Sequence, residues 1–245
     1  MNKLRRNSTW APLVVLALGT LSSFDGGRPQ AQRETRPVGA FTEVNLGGSA
    51  HVVLKQGSPQ SVVVEAGPEA LADFETVVKD QQLRLGYRSN SSNSGNMLRY
   101  RDRGPVTVYV TAPTLTALRV GGSGKSEVDG PLKADALTLA ISGSGQLQVP
   151  QLTATSLETA LSGSGNVRVG GTCPRMEVRI SGSGQVQARE LRAETCTARI
   201  SGSGNAHVYA TKTANALLSG SGNVYVAGGG QLSSRVSGSG RVSEE

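Results

Sequence analysis

Ala160 to Val169 read "ALSGSGNVRV", a Ser-Gly-Ser-Gly string set between aliphatic, strand-forming residues. Flexible linkers use the same letters, so the surroundings must decide its role. The string recurs as "GGSG" at Gly121 and as "SGSG" at Ser142, Ser162, Ser181, Ser201, Ser219 and Ser237. The steps between successive starts are 21, 20, 19, 20, 18 and 18 residues. A linker has no reason to keep such spacing. A solenoid must, because each coil returns the chain to the same edge.

The flanks carry the same beat. Before the strings stand "LTLAI", "LETAL", "MEVRI", "CTARI" and "ANALL", which alternate apolar and variable residues. Their last members, Ile141, Leu161, Ile180, Ile200 and Leu218, make one inward column, with Leu139, Thr159, Val178, Ala198 and Ala216 two residues earlier. After the strings, Leu147, Val167, Val186, Ala206 and Val224 make another. Period two on both sides of a four-residue break predicts two half-buried strands per coil, stacked about 4.8 Å apart. Segments such as "PQLTATS" and "RELRAET" supply a third side or a loop. The expected fold is all-β, a right-handed parallel β-helix of about seven coils.

At each bend, glycine admits φ > 0 and avoids a Cβ between crowded coils. The predicted structural turns are Gly122, Gly124, Gly143, Gly145, Gly163, Gly165, Gly182, Gly184, Gly202, Gly204, Gly220, Gly222, Gly238 and Gly240. The serines are expected to bond the backbone or one another up the stack. Gln146, Asn166, Gln185, Asn205 and Asn223 form a column suited to an amide ladder. No bend carries the Asp of a calcium-binding β-roll, and no "GK[ST]" follows, so neither calcium nor nucleotide is expected. No cofactor or metal is predicted.

Aromatic residues make up only 4% of the 245, while glycine numbers 32, which favours thin stacked layers over a core of large rings. The start, with Lys3, Arg5 and Arg6 before an apolar stretch from Trp10 to Leu21, matches a secretory signal peptide. Residues 1–31 are read as that peptide and a short linker, cut between Ser22 and Gln32. Cleavage after Ser22 lowers the formal charge from +7 to +4, and no membrane-spanning segment then remains. Export to the periplasm, outer surface or medium is the expected localisation. Net charge alone does not support a nucleic-acid partner, and none is expected. The spacing of Cys173 and Cys196 fits no zinc motif. Cys196 falls in the inward column of Leu137, Leu157 and Met176, and a disulfide with Cys173 stays open.

Residues 36–115 read differently, as a strand-rich cap over the first coil, with residues 116–245 carrying the repeats. "HVVLKQG" and "SVVVEAG" are strands joined by a turn at Gly57–Gln60, and "PEALADF" is a short helix with proline in its first turn. "TVVKDQQLRL" is a hairpin turning near Asp80–Gln82, and "YRSNSSNSGNMLRYRDRG" is a polar, mobile loop.

The segments "FTEVNLGGSAHVVLKQG", "VKDQQLRL" and "VTVYVTAPTLTALRVGGSG", with the serial "SGSG" bends, resemble the bacterial putative auto-transporter adhesin head domain, or GIN domain, family. The likeness runs from Arg36 to Val242. It implies a secreted or cell-envelope β-helical protein, and it brings no catalytic or binding residues with it.

Three outward sets are candidates for chemistry. Glu158 and Glu177 share a column on adjacent coils, about 5 Å apart at the backbone, near the spacing of a retaining glycosidase pair. Arg119, Arg179, Arg199 and Arg235 share another column with Ala140, Ala160 and Leu217, a basic stripe suited to acidic glycans or headgroups. His207 and Tyr225 share a third, and their rings can stack on sugars. The expected function is an exported, non-enzymatic interaction protein, adhesin-like, with an envelope protein or glycan as partner and a homo-oligomer possible. The alternative is a carbohydrate-active β-helix enzyme or glycan-binding module.

Overall fold

The computed structural model describes residues 31–87 and 104–245. The signal peptide and nearly all of the polar loop read from the sequence lie outside them. In chain order the first elements are β1 (Gln32–Thr35), β2 (Glu43–Gly48), β3 (His51–Gln56), β4 (Ser61–Ala66), α1 (Pro68–Asp73), β5 (Phe74–Lys79), β6 (Gln82–Tyr87), β7 (Thr107–Ala112), β8 (Ala117–Gly122) and β9 (Lys125–Val128). The repeats follow as β10 (Pro131–Gly143), β11 (Gln146–Gly163), β12 (Asn166–Thr172), β13 (Arg175–Gly182), β14 (Gln185–Gln187), β15 (Leu191–Arg192), β16 (Thr195–Gly202), β17 (Asn205–Tyr209), β18 (Thr213–Gly220), β19 (Asn223–Ala227), β20 (Gln231–Ser237) and β21 (Arg241–Glu244).

These strands build a parallel β-solenoid. One face carries the strands entering each bend, in the order β5, β6, β2, β8, β10, β11, β13, β16, β18, β20. A second face carries those leaving it, β1, β4, β7, β3, β9, β11, β12, β14, β17, β19, β21. The long strands β10 and β11 continue around a third side, where Leu132 pairs with Leu152 and Leu152 with Gly171. The seven predicted bends lie over one another, Gly143 over Gly122 and so on to Ser237 over Ser219. Seven bends bound the roughly six turns of the regular part.

The inward columns are the core. Ile141, Leu161, Ile180, Ile200 and Leu218 are at most 3% exposed, and Leu147, Val167, Val186, Ala206 and Val224 are fully buried. Each large aliphatic chain so enclosed contributes about 1.5–3 kcal/mol relative to exposure. Thr159 lies in the same interior, and its hydroxyl has no hydrogen-bond partner.

The bend chemistry divides between the two glycines. Gly202 has φ +124, and an added Cβ would stand 2.5 Å from the Gly182 carbonyl oxygen. Gly204 needs no unusual φ. Its Cβ would stand 2.6 Å from Ile180 Cγ2 and 2.7 Å from the Gly184 carbonyl oxygen. Among the described residues the bend serine hydroxyls make none of the hydrogen bonds expected of them. The backbone N–H of Ser203 donates to the Gly182 carbonyl at 2.9 Å and that of Asn205 to the Gly184 carbonyl at 3.0 Å, so the ladder itself satisfies the bend. Both serine columns face outward and are exposed.

The N-terminal region joins the same stacks out of chain order. β2 lies between β6 and β8, and β3 between β7 and β9, so this coil is enclosed by segments that follow it in sequence. Gly47 and Gly48 pair with Gly121 and Gly122, which adds one more bend to the column. β3 and β4 are not partners, because β7 lies between them. β5 and β6 do form the predicted hairpin, with Asp80 and Gln81 at φ 52 and 59. Helix α1 buries Ala70 and Leu71, and the Arg36 guanidinium donates to the Leu71 carbonyl at 2.6 Å.

Candidate functional site

With the interior sealed, chemistry is confined to the outward columns. On the entering face, Arg119, Ala140, Ala160, Arg179, Arg199, Leu217 and Arg235 stand in strict register. Between them and the serine column next to the bends runs a groove of about 710 Å³, reaching from Ala140 to Ser237 over six strands. Its floor is apolar. Ala140, Ala160 and the 41% exposed Leu217 lie along it, and the arginine stems add methylene surface.

Three of the four predicted arginines are engaged by carboxylates. Arg119 bonds Glu43, a partner not foreseen because β2 was not placed beside β8. Arg179 bonds Glu158 and lies 2.9 Å from Glu177, which in turn bonds Arg199. Arg235 has no acidic partner among the described residues. Glu158 and Glu177 are thus neighbours in register, as the spacing implies, but a guanidinium is inserted between them. Both lie on an open sheet face, where such pairs contribute little to stability. A glycosidase pair needs one carboxyl protonated within a cleft, and these bends raise no walls around this one.

The leaving face carries the ring pair. His207 and Tyr225 are register partners, stacked with centroids 4.5 Å apart and planes 13° from parallel. Below them is a hollow of about 250 Å³ lined by Arg168, Gln185, Gln187, Arg189, Glu190 and His207. Its wall is a turn at Arg189–Glu190, closed by the Leu191 N–H on the Ala188 carbonyl at 3.1 Å. The turn's only trace in the sequence is "ARE", the sole charged pair at that point in any coil. Arg168 reaches Glu190 at 3.2 Å, and Arg189 reaches Glu245 at 3.0 Å. Beside it Arg192 lies over the Tyr209 ring at 4.4 Å. The amide column forms one rung among the described residues, Asn223 Nδ2 donating to Asn205 Oδ1 at 3.0 Å.

Cys173 and Cys196 are separate, buried thiols, not a disulfide. Burial pushes the Cys196 thiol up to about 12 and raises that of Cys173 against the opposing effect of the Arg175 backbone and charge, so neither is a ready nucleophile. Among the described residues no cluster of three or more His, Cys, Asp or Glu is placed to hold a metal ion. No helix among them is long and apolar enough to cross a membrane.

A family model described as "Putative auto-transporter adhesin, head GIN domain" matches residues 40–230. Among solved structures, the fold is shared with a putative adhesin of Bacteroides fragilis at TM-score 0.80 and 22% identity, covering 89% of this chain and 98% of that one. A putative lipid binding protein of Parabacteroides distasonis is similar at TM-score 0.72 and 20% identity, and a putative adhesin of Parabacteroides merdae at 0.66 and 16%, with the same coverage. A search of curated proteins finds no match.

Proposed function

The chain belongs to the auto-transporter adhesin head, or GIN domain, family, and from that premise we propose that it is an exported, non-enzymatic interaction module of the cell envelope or surface. Its partner is an elongated molecule that lies along the groove beside the bends. The observation that carries this reading is the groove itself, continuous over six in-register strands, with an apolar floor and arginines along one wall. Backbone pairing along every strand makes it a rigid track, so little conformational entropy opposes binding. The N-terminal basic and apolar pattern supports export. Arg179 between Glu158 and Glu177 weighs against hydrolysis.

The same floor suits an acyl chain. A structural neighbour described as a lipid binding protein makes anionic lipid the second probe. The test has two parts. Fractionation with N-terminal sequencing is expected to find the mature chain outside the inner membrane, beginning between residues 22 and 32. Wild-type protein is expected to capture envelope glycan or protein, and Ala160→Tyr, which fills the groove, to lose at least about tenfold of that capture. Retention in the cytoplasm would overturn export. Undiminished capture by Ala160→Tyr would overturn the groove, and capture of anionic vesicles alone would transfer it to lipid. Turnover of acidic polysaccharide that disappears in the Glu158→Gln, Glu177→Gln double variant would overturn the non-enzymatic reading.

A further inference from the structure

The hollow beside the Arg189–Glu190 turn is on the other face from the groove. Its floor is β14, whose outward positions are Gln185 and Gln187. Neither amide has a hydrogen-bond partner among the described residues. Arg168 stands one coil below Gln187 and His207 one coil above, in register. Two coil spacings, about 10 Å, separate these two. That span and the 250 Å³ volume fit one sugar ring with its substituents and are too small for a helix or an acyl chain.

The electrostatics narrow the ligand further. The Glu245 carboxylate reaches two residues of the lining from the last coil, standing 3.0 Å from an Arg189 guanidinium nitrogen and 3.7 Å from His207 Nδ1. Arg189 and His207 therefore already face a planar carboxylate at the rim, the anion that arginine's fork matches best. The longer contact to His207 is not a hydrogen bond, so the internal carboxylate is an incomplete partner for this pair. Tyr225 covers one face of the imidazole by stacking, and the opposite face turns back along the column toward Gln187. A sugar's C–H face can pack there, while its hydroxyls meet the two free amides and Glu190.

We propose that this hollow binds one carboxylate-bearing sugar residue, a hexuronate of an acidic glycan, whose carboxylate displaces that of Glu245 from Arg189 and His207. The proposal rests on the reading of the chain as an envelope interaction module, and it gives the second face a ligand chemistry. Occupation by Glu245 lowers the apparent affinity in proportion to the fraction of molecules it closes.

The test is titration calorimetry on the full chain with trigalacturonate, against neutral maltotriose and against glutarate, which carries carboxylates without a ring. Trigalacturonate is expected to bind and the other two to show no measurable heat. Arg189→Ala should weaken binding by about tenfold or more. Glu245→Gln should tighten it several-fold, while Glu244→Gln, an equal change of charge, should leave it as it was. Glutarate binding as well as trigalacturonate would overturn recognition of the sugar. Equal tightening by Glu244→Gln and Glu245→Gln would reduce the site to diffuse charge and overturn it too, as would a Glu245→Gln protein that binds no trigalacturonate. Ala160→Tyr separates the two sites. Trigalacturonate binding that survives this change supports the hollow, its loss in Ala160→Tyr places the sugar in the groove and overturns the hollow, and a wild-type protein that captures its envelope partner but binds no trigalacturonate sinks the hollow alone.

Discussion

At the scale of the residue, two glycines in one bend do different work. Gly202 occupies a backbone region, φ +124, that side chains rarely enter, and the space for a Cβ is taken by the Gly182 carbonyl. Gly204 has an ordinary φ and is excluded from growth by Ile180 and the Gly184 carbonyl. Ser203 between them is exposed, and its hydroxyl makes no hydrogen bond to the protein among the described residues. Gly202→Ala is therefore expected to cost about 2–4 kcal/mol, Gly204→Ala about 1–3 and Ser203→Ala under about 0.5, read from urea midpoints. A Ser203→Ala loss as large as that of Gly202→Ala would mean the hydroxyls hold the stack after all. Both glycine roles are legible in the letters "SGSG", since turning and crowding both select a missing Cβ. The serine role is not. An exposed hydroxyl and a bonded one read alike, and only the backbone ladder, Ser203 N–H to Gly182, shows that the bend is already satisfied.

At the scale of the element, period two shows which way each residue faces but not which strand lies alongside. The core columns and the His207–Tyr225 partnership were legible because a constant step carries register from coil to coil. The β5–β6 hairpin was legible because its two-residue turn is local. The insertion of β2 and β3 among later strands was not, since nothing local in a strand specifies a neighbour that is distant in sequence. That insertion decides several ion pairs, Arg119 with Glu43 among them. It also brings His51 of β3 to Glu127 of β9, where Lys125 bonds the same carboxylate. The Lys125 hydrogen bond, with the charges of Lys125 and His51, holds the Glu127 carboxyl below the usual carboxylate range, against the opposing effect of burial. A depressed folded value contributes stability above the ordinary value of about 4.3, lost as pH falls through the folded one. Glu127→Gln should lower stability at pH 7 by less than about 1 kcal/mol, since the group is partly exposed, and the gap should close on acidification. A gap of equal size at pH 7 and pH 2.5 would show that the change acts through packing.

At the scale of the whole molecule, the coils shorten along the chain. The step between bends falls from 21 to 18 residues, while one inward column runs Leu137, Leu157, Met176, Cys196, Ala214, Leu232. In such a stack each coil depends on its immediate neighbours, so position in the pile decides what a deletion does. Ending the chain after Ala227 removes β20 and β21, whose strand pairings run only to β18 and β19. The remaining coils keep all their other strand pairings, and of the ion pairs in the hollow only those of Glu245 with Arg189 and His207 are lost. That protein is expected to unfold in one cooperative transition, with strand circular dichroism retained and a urea midpoint lowered by the loss of one interface. Replacing residues 43–56 by a glycine-serine linker removes no more than one coil as well. But β2 and β3 are the layer between β6–β7 and β8–β9, and every pairing between those two groups runs through them. Their removal should uncouple β4–β7 and helix α1 from the repeats. Two transitions would then replace one, or the N-terminal part would be lost to limited proteolysis while the repeats survive. If both deletions give the same single transition, the inserted coil is not the keystone of the N-terminal half, and the β6–β7 layer can close directly on β8–β9.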